Sequence, residues 1–305
     1  MTTQTWPSPL KAGDRVQLVA ASSALQAEAL TRLSEGIAVV ESWGLEVSEH
    51  PQPLRSWGYY AGSDAERSSD LEAKAPLLAC LRGGWGSARL LERPRTLTPP
   101  LAPHWLLGFS DVTSLLWARE AAGIPGGIHG PMLTTLAAEP SWSQERLKAL
   151  LFGSALAPIQ GRGWSRGQAE GRLLAGNLTV ATHLLGTPHL PELEGAILLL
   201  EDVGEAPYRI DRMLTHWRLC GALQRLGGIG FGSFKDCDET EEEMEQEADA
   251  AASRFSLEQV LRERTADLGI PVVGELPFGH DCGNAALPMG RRARLDGSSG
   301  TLELL

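Results

Sequence analysis

Apolar positions in the first half of the chain alternate between two spacings, one typical of buried strands and one typical of amphipathic helices. A strand pattern at 16–21 is followed by helical spacing over 25–43, which stops at Gly44, and by another strand pattern at 45–47. The later predicted elements are a helix at 65–73, a strand at 77–81, a glycine turn at 83–86, a helix from Ser87 and a strand at 105–107. Such connections predict an α/β fold with an open, mostly parallel N-terminal sheet flanked by helices.

The second half of the chain predicts a smaller, mixed α/β C-terminal domain. A stretch rich in glycine, proline and polar residues favours a linker at 156–168, between a domain at 1–155 and a domain at 169–305. Two domains are also the natural expectation for 305 residues. The predicted C-terminal elements are strands at 171–174 and 196–200, helices at 177–185 and 209–220, a strand from Val272 and a hairpin at 292–304.

Charge and composition limit the class of partner. The formal net charge of −11 disfavours nucleic acid and acidic membranes, although nine of the acidic residues lie within 236–249. The acidic segment 236–251 suits a solvated helix or a disordered loop, and it lacks the central glycine of an EF-hand calcium loop. No signal-peptide core or long apolar run is present, and the cysteines form no C-x-x-C pair. We therefore expect a cytoplasmic protein with free thiols and no metal.

The candidate nucleophile is Ser110, which lies between a strand pattern and a helix predicted at 111–122. A serine at such a corner projects its hydroxyl outward, and the N-terminal amides of the helix point to the space beside it, where a negatively charged intermediate would be held. The segment matches only half of the G-x-S-x-G nucleophile elbow: Gly108 supplies the first glycine of the motif, but Val112 stands in place of the second. A structural helix cap is the alternative role for Ser110.

A serine nucleophile needs a histidine base, and seven histidines compete for that role. His280 stands out because it follows an apolar strand pattern, where side chains emerge at the edge of the core. Taken alone, it could equally be a surface histidine, which is the more common case. Its nearest rival is His129, which lies in the same predicted domain as the serine. His104 precedes a strand and suits packing or capping.

A carboxylate must orient the base, and Glu201 directly follows the apolar strand pattern at 196–200. An acid in that position is partly desolvated and requires a partner. Capping of the following turn by Glu201 or Asp202 is the plainer interpretation. Glu205 is a further candidate for the carboxylate that orients the base.

The glycine turn from Gly83 to Gly86 does not fit a nucleotide cofactor. The dinucleotide fingerprint needs glycines at its first, third and sixth positions, and counting from Gly84 places Arg89 at the sixth. The lysine of a phosphate-binding P-loop is also missing. The turn instead suits close approach of a backbone amide to a substrate carbonyl, so no cofactor is predicted.

Eight short motifs occur together and in a fixed order, and with them the chain resembles the LD-carboxypeptidase family of serine peptidases (family S66), also called muramoyltetrapeptide carboxypeptidases. The resemblance spans nearly the whole chain. The motifs are Gly13-Asp14-Arg15-Val16, Tyr60-Ala61-Gly62-Ser63-Asp64, Arg82-Gly83-Gly84-Trp85-Gly86-Ser87, Gly108-Phe109-Ser110-Asp111, Gly176-Asn177-Leu178, Leu200-Glu201-Asp202-Val203-Gly204-Glu205, Tyr208-Arg209-Ile210-Asp211-Arg212 and Gly279-His280-Asp281.

The resemblance implies a catalytic triad of Ser110 as nucleophile, His280 as general base and Glu201 as the residue that orients the base. It also implies an oxyanion hole formed by the backbone amides of Gly84 and Asp111. The family's reaction would release terminal D-alanine from murein tetrapeptide, or from a muropeptide, through an acyl-enzyme. This reaction serves peptidoglycan recycling, and relatives are often homodimers.

Substrate recognition is less defined than the triad. Trp85 stands where relatives often carry tyrosine and is expected at the rim of the cleft. Arg89, Arg209 and Arg212 are candidates for binding the carboxylate of D-alanine, although structural ion pairs explain each of them equally well.

The sequence leaves two other functions open. One is a serine hydrolase of the same fold that confers microcin immunity by cleaving peptide-nucleotide conjugates, with Trp85 or Trp164 stacking on the substrate. The other is a non-catalytic protein whose two domains close on a small molecule.

Overall fold

The structure is a computed structural model that describes residues 5–93, 97, 103–238, 255–281 and 283–305. In chain order its strands are β1 (Arg15–Val19), β2 (Glu46–Ser48), β3 (Leu77–Cys80), β4 (Trp105–Gly108), β5 (Gly127–His129), β6 (Ile159–Gln160), β7 (Arg162–Gly163), β8 (Gln168–Asn177), β9 (Ile197–Val203), β10 (Gly228–Lys235), β11 (Val272–Gly274), β12 (Leu287–Pro288), β13 (Arg292–Asp296) and β14 (Thr301–Leu304).

The α-helices are mostly amphipathic, and α1 buries Leu33, Ile37 and Val40 on one face. Four short 3₁₀ helices, at Ala27–Ala29, Ser87–Glu92, Ser110–Val112 and Leu223–Arg225, connect the described elements. The α-helices are α1 (Leu30–Ser42), α2 (Asp64–Asp70), α3 (Thr113–Ala121), α4 (Leu133–Leu136), α5 (Ser141–Leu151), α6 (Leu178–Leu184), α7 (Pro207–Leu219) and α8 (Leu257–Thr265).

The chain forms two compact units, and the first comprises Met1–Ala157, Gly186–Glu192 and Cys282–Arg291. Its six-stranded sheet has the order β12-β5-β4-β3-β1-β2, in which all strands are parallel except β12. Strands β3 and β4 are buried throughout, as expected for parallel strands covered on both faces. Because parallel strands end at one edge of a sheet, the turns after β1, β3 and β4 meet there.

The segment at 283–291 is held in the first unit by polar contacts as well as by β12. The carboxylate of Glu139 accepts hydrogen bonds from the amides of Gly283 and Asn284, at 3.1 and 2.8 Å. Arg146 of α5 donates to the carbonyl of Ala286 at 3.1 Å. Buried polar groups of this segment are therefore paired with residues that precede it by about 140 positions.

The second unit comprises Pro158–Leu185, Leu193–Asp281 and Arg292–Leu305. Its eight-stranded sheet has the order β6-β14-β13-β8-β9-β10-β11-β7. The four strands β8 to β11 are parallel, whereas β6, β14, β13 and β7 are antiparallel to their neighbours. Strand β9 is buried from its first residue to Asp202, so it forms the centre of this mixed sheet.

The predicted α/β fold is confirmed, with a mostly parallel first sheet and a mixed second sheet. The stretch expected to be a linker, 156–168, instead contains β6 and β7, which pair with β14 and β11. The C-terminal domain was expected to run from 169 to 305, but β12 within that range pairs with β5 of the first unit. Local apolar spacing does not reveal these pairings, because they join residues far apart in the sequence.

Several local expectations also change. The helix expected from Ser87 is a 3₁₀ helix, and the helix expected at 111–122 begins with a 3₁₀ turn before α3. Most of the acidic segment 236–251 lies outside the described residues. Among the described residues, no helix has the length and apolarity needed to cross a membrane, and no cluster of His, Cys, Asp and Glu is arranged to hold a metal ion.

Candidate active site

Ser110 lies at a sharp corner between β4 and α3. Its φ of +59° is in the left-handed region, which costs a residue with a side chain of the order of 1–2 kcal/mol. Strand β4 ends at Gly108, where a Cβ would lie 2.7 Å from Val112 Cγ1. Glycine is therefore required at position 108, and the valine at position 112 packs against it. The corner has the strained geometry of a nucleophile elbow although the sequence carries only half of the motif.

The glycine turn after β3 packs against this corner. A Cβ on Gly83 would lie 2.9 Å from Ser110 Cβ, 3.1 Å from Ser110 Oγ and 3.5 Å from the amide nitrogen of Asp111. Gly84 has a φ of +108°, which favours glycine. Because Gly83 has no side chain, the backbone of this turn approaches Ser110 more closely than any other residue would allow.

Ser23, which follows β1, holds the other side of the glycine turn. Its hydroxyl accepts a hydrogen bond from the amide of Trp85 at 2.9 Å, and its own amide donates to the carbonyl of Gly83 at 3.3 Å. A Cβ on Gly84 would overlap the Ser23 hydroxyl. Sequence reasoning missed Ser23, because its contacts depend on the adjacency of β1 and β3.

The side chain of Asp111 connects the glycine turn to the start of α3. It is 1% exposed, and its Oδ2 accepts a hydrogen bond from the amide of Ser87 at 2.9 Å. The Ser87 hydroxyl donates to the backbone carbonyl of Asp111 at 2.6 Å, and Ser114 Oγ donates to the same carbonyl at 3.0 Å. The sequence pointed to Asp111 only for its amide, whereas its buried carboxylate fixes the two segments that carry the predicted oxyanion amides.

In the second unit, Glu201 and His280 form a short hydrogen bond. Glu201 lies on β9 and is 0% exposed, and its Oε2 is 2.6 Å from His280 Nδ1. In a ring whose Nδ1–H donates to a carboxylate, Nε2 is the nitrogen that can act as a base. Glu201 therefore fixes the tautomer and the orientation of the His280 ring.

The pKa of each partner is shifted by the other and by burial. Burial raises the pKa of Glu201 above its ordinary value, although the hydrogen bond and the charge of His280 oppose this change. Burial alone would lower the pKa of His280, but the hydrogen bond and the charge of Glu201, with the charge of Asp202, outweigh it and raise that pKa. The imidazolium form of His280 is thus stabilised next to the carboxylate.

An irregularity in β10 positions the backbone that carries His280. The register between β9 and β10 shifts between Phe231 and Phe234. At that point the Ser233 amide donates to the carbonyl of Phe278 at 2.8 Å, and the Ser233 hydroxyl accepts from the amide of Asp281 at 3.3 Å. Gly279 has a φ of +118°, and a Cβ there would lie 2.9 Å from Glu201 Cβ. The sequence carried no sign of Ser233, because a bulge leaves little trace in apolar spacing.

Asp202 and Glu205, the alternative carboxylates, are engaged elsewhere. Asp202 Oδ1 accepts from Asn177 Nδ2 at 2.9 Å, and its Oδ2 accepts from the amide and hydroxyl of Thr179 at 2.9 and 2.8 Å. Glu205 Oε2 lies 3.5 Å from Arg209. Of the three acids considered on this segment, Glu201 is the one paired with His280.

Models of known protein families match both halves of the chain, and both matches are to the same family. Residues 16–130 match the LD-carboxypeptidase N-terminal domain, and residues 170–295 match the LD-carboxypeptidase C-terminal domain. A Synechocystis sp. protein provisionally named a carboxypeptidase is 47% identical over 98% of this chain and 97% of its own length. A Pseudomonas aeruginosa protein named murein tetrapeptide carboxypeptidase is 34% identical over 97% of this chain and 96% of its own length. The chain belongs to the LD-carboxypeptidase family.

Solved structures agree with this assignment of the chain to the LD-carboxypeptidases, which are serine peptidases. The muramoyltetrapeptide carboxypeptidase from Oxalobacter formigenes has a TM-score of 0.81 and 26% identity, over 95% of this chain and 97% of that protein. The microcin C7 self immunity protein MccF has a TM-score of 0.83 and 20% identity, over 98% of each chain. At that identity the second likeness shows the fold alone.

The arginines predicted for substrate recognition have partners within this LD-carboxypeptidase. Arg209 and Arg212 lie in the first turns of α7. Arg209 donates to the hydroxyl of Tyr208 at 3.1 Å, and the guanidinium carbon of Arg212 lies 5.8 Å from the centroid of the Tyr208 ring. Arg89 donates to Asp64 at 2.8 Å. Trp85 is 41% exposed, and its expected position at the rim of the cleft stays a prediction.

The other candidate histidines are buried in the first unit. His129 lies on β5 and is 0% exposed, and its ring packs edge-on against Phe109 with centroids 5.8 Å apart. His104 Nε2 lies 3.0 Å from Arg119, a residue of α3. Both histidines therefore contact other side chains of the first unit, His129 by ring packing and His104 through Arg119.

Proposed function

We propose that this peptidase is an LD-carboxypeptidase that releases terminal D-alanine from murein tetrapeptide through an acyl-enzyme. The observation that carries the proposal is the 2.6 Å hydrogen bond between Glu201 and His280, because it prepares the imidazole to accept a proton at Nε2. The strained corner at Ser110 supports it, since this geometry exposes a serine hydroxyl beside backbone amides. The names of the two murein-processing relatives support the substrate.

In the proposed mechanism Ser110 is the nucleophile and His280 the general base. His280 Nε2 takes the proton of the Ser110 hydroxyl while Oγ attacks the carbonyl carbon of the third residue, which has the L configuration. The amides of Gly84 and Asp111 hold the oxyanion of the tetrahedral intermediate. His280 then gives its proton to the amine of the leaving D-alanine, and an ester remains on Ser110.

Deacylation repeats these steps with water. His280 takes a proton from water, the hydroxide attacks the ester carbonyl, and His280 returns the proton to Ser110 Oγ. Throughout, the buried Glu201 stabilises the imidazolium that forms twice in each cycle. A cytoplasmic enzyme with this activity would serve the recycling of cell-wall peptides, and a homodimer remains the expected assembly.

The proposal is tested by mass spectrometry of the protein after incubation with an L,D-tetrapeptide. We expect loss of one alanine from the peptide and a transient acyl mass on the tryptic peptide that contains Ser110. Ser110→Ala should abolish both signals, whereas His280→Ala should abolish acylation of an intact serine. Hydrolysis that persists in Ser110→Ala would refute the nucleophile. Release of an amino acid from a peptide-nucleotide conjugate, without cleavage of tetrapeptide, would favour the microcin-immunity activity.

A further inference from the structure

Arg67 of α2 is a fully buried charged side chain that the proposed chemistry does not use. It is 0% exposed and ranks among the largest fully buried side chains of the protein. Arginine is seldom fully buried unless its charge and its donors are paired, because an unpaired guanidinium loses its hydration. The partners of Arg67 therefore indicate what this side chain holds in place.

Four of the five N–H donors of the guanidinium have acceptors. Nη1 donates to the backbone carbonyls of Ala21 and Gly86, at 2.6 and 2.8 Å, and Nε donates to that of Gly62 at 3.2 Å. Nη2 donates to Asp64 Oδ1 at 2.5 Å. Ala21 lies in the loop after β1, and Gly86 ends the glycine turn after β3. One side chain thus joins both loops to the start of α2.

The peptide group between Gly86 and Ser87 is held at both ends. Its carbonyl accepts from Arg67 at 2.8 Å, and its amide donates to Asp111 Oδ2 at 2.9 Å. Arg67 is 0% and Asp111 1% exposed, so a buried cation and a buried carboxylate are linked through one peptide group. Hydrogen bonds in such a chain polarise and strengthen one another where water is excluded. We call Arg67, this peptide group and Asp111 the peptide clamp.

Gly86 allows the guanidinium to contact the backbone of the glycine turn directly. Its φ of +126° favours glycine. A Cβ at this position would lie 2.5 Å from Tyr60 Cδ1 and 2.9 Å from Arg67 Nη1. No side chain could therefore be added between the clamp and the turn without displacing one of them.

The peptide clamp is close to both expected oxyanion donors. Gly84, whose amide is one of them, lies two residues before Gly86, and the amide of Asp111 is the other. The same turn contacts the nucleophile, since a Cβ on Gly83 would lie 3.1 Å from Ser110 Oγ. Because peptide groups are planar and rotate as units, fixing one of them restricts the orientation of its neighbours in a short turn.

We propose that Arg67 is a positioning residue for the oxyanion hole, an inference that rests on the proposed function. Together with Asp111 it fixes the peptide group between Gly86 and Ser87, and through it the direction of the Gly84 amide. The oxyanion exists only in the transition state and the tetrahedral intermediate. Loss of the clamp should therefore lower kcat and leave KM nearly unchanged.

The test is a double-mutant cycle of Arg67→Met and Asp111→Asn in hydrolysis of an L,D-tetrapeptide. Each single variant should lower kcat about tenfold with KM within about threefold. Because both side chains act on one peptide group, the double variant should also lose about tenfold. Losses that multiply to about a hundredfold, an unchanged kcat in Arg67→Met, or a loss confined to KM would overturn the proposal.

A second variant covers the case in which Arg67→Met does not fold. Arg67→Lys keeps the charge but lacks the planar fork that reaches several carbonyls at once, so it should lose kcat to a similar extent. It then replaces Arg67→Met in the cycle, with the same criteria. In either variant Asp64 keeps a partner, because it also accepts from Arg89 at 2.8 Å.

Arg119→Met is the matched control. Arg119 is 9% exposed and donates to the backbone carbonyls of His104 and Pro125, at 3.3 and 3.1 Å. These two residues precede β4 and β5, at the opposite edge of the sheet from Ser110. The variant should lower Tm and leave kcat within about twofold. An equal loss of kcat would overturn the proposal, because loss of a buried arginine elsewhere in the unit would then have the same effect.

Amide hydrogen exchange separates this inference from the proposed function. Exchange over residues 83–90 should be about tenfold faster in Arg67→Met and in Asp111→Asn, and the double variant should be no faster than either. A wild-type protein that does not hydrolyse the tetrapeptide would refute the proposed function, and the exchange result would still decide whether the clamp exists. Unchanged exchange over 83–90 in Arg67→Met would overturn it.

Discussion

Replacing Glu201 by glutamine tests how strongly the rate depends on the buried carboxylate. In the proposed mechanism the His280 ring becomes positively charged next to Glu201, whose Oε2 is 2.6 Å from Nδ1. Unit charges about 4 Å apart attract by about 4 kcal/mol at an effective dielectric constant of about 20. Since each 1.36 kcal/mol changes a rate tenfold, Glu201→Gln should lower kcat by about 10³. The amide also favours the wrong tautomer of His280, which increases the loss toward about 10⁴.

The same substitution should change the pH dependence of kcat/KM. The Glu201 carboxylate raises the pKa of His280, whereas burial lowers it. His280 must be neutral to act as a base, so activity is lost as the pH falls through its pKa. Without the carboxylate that pKa falls, and the acid limb of the profile should move to lower pH while the plateau drops.

The control for this experiment is Glu205→Gln. Glu205 precedes α7, and its Oε2 lies 3.5 Å from Nη1 of Arg209. Its kcat should stay within about twofold of wild type, because the carboxylate of Glu205 is paired with Arg209. Steady-state release of D-alanine, measured from acidic to mildly alkaline pH, gives both kcat and the pH profile of kcat/KM. A Glu201→Gln enzyme with more than a tenth of the wild-type kcat, or an acid limb that does not move, would refute the reasoning.

Three further predictions concern the corner at Ser110. Gly83→Ala places a Cβ 2.9 Å from Ser110 Cβ and should lower kcat about tenfold or more with little change in Tm. The control is Gly130→Ala, where the nearest atoms to the new Cβ are 3.4 Å away, and its kcat should stay close to that of wild type. Asp111→Asn and Ser87→Ala should lower kcat about tenfold in the same assay, and a rise in KM alone would contradict a role in holding oxyanion donors. Ser110→Gly should abolish hydrolysis and raise Tm by about 2–4 °C in calorimetry, because glycine tolerates a positive φ; an unchanged Tm would argue against strain.

The sequence predicted those parts of the candidate site that follow directly from strand patterns. The stretches 105–107 and 196–200 are continuous apolar runs, so the polar residues that follow them, Ser110 and Glu201, are conspicuous. His280 was chosen among seven histidines with the help of the family motifs. The catalytic roles of all three remain predictions.

The remaining features depend on contacts between distant segments and leave no local pattern. The carboxylate of Asp111 meets the Ser87 amide only because β3 and β4 are neighbours in the sheet. Ser233 supports the His280 backbone only through the irregularity of β10. The pairing of β12 with β5 likewise follows from tertiary structure, since two residues are too few to show a period.

The position of β12 has a consequence for dividing the enzyme into fragments. A fragment that ends at residue 157 would contain all of the first sheet except this late strand. Its β5 edge, from Gly127 to His129, would present unpaired amide and carbonyl groups to solvent, and such edges promote aggregation between chains. An autonomous N-terminal half would therefore need residues 283–291 supplied as a peptide or grafted onto its end.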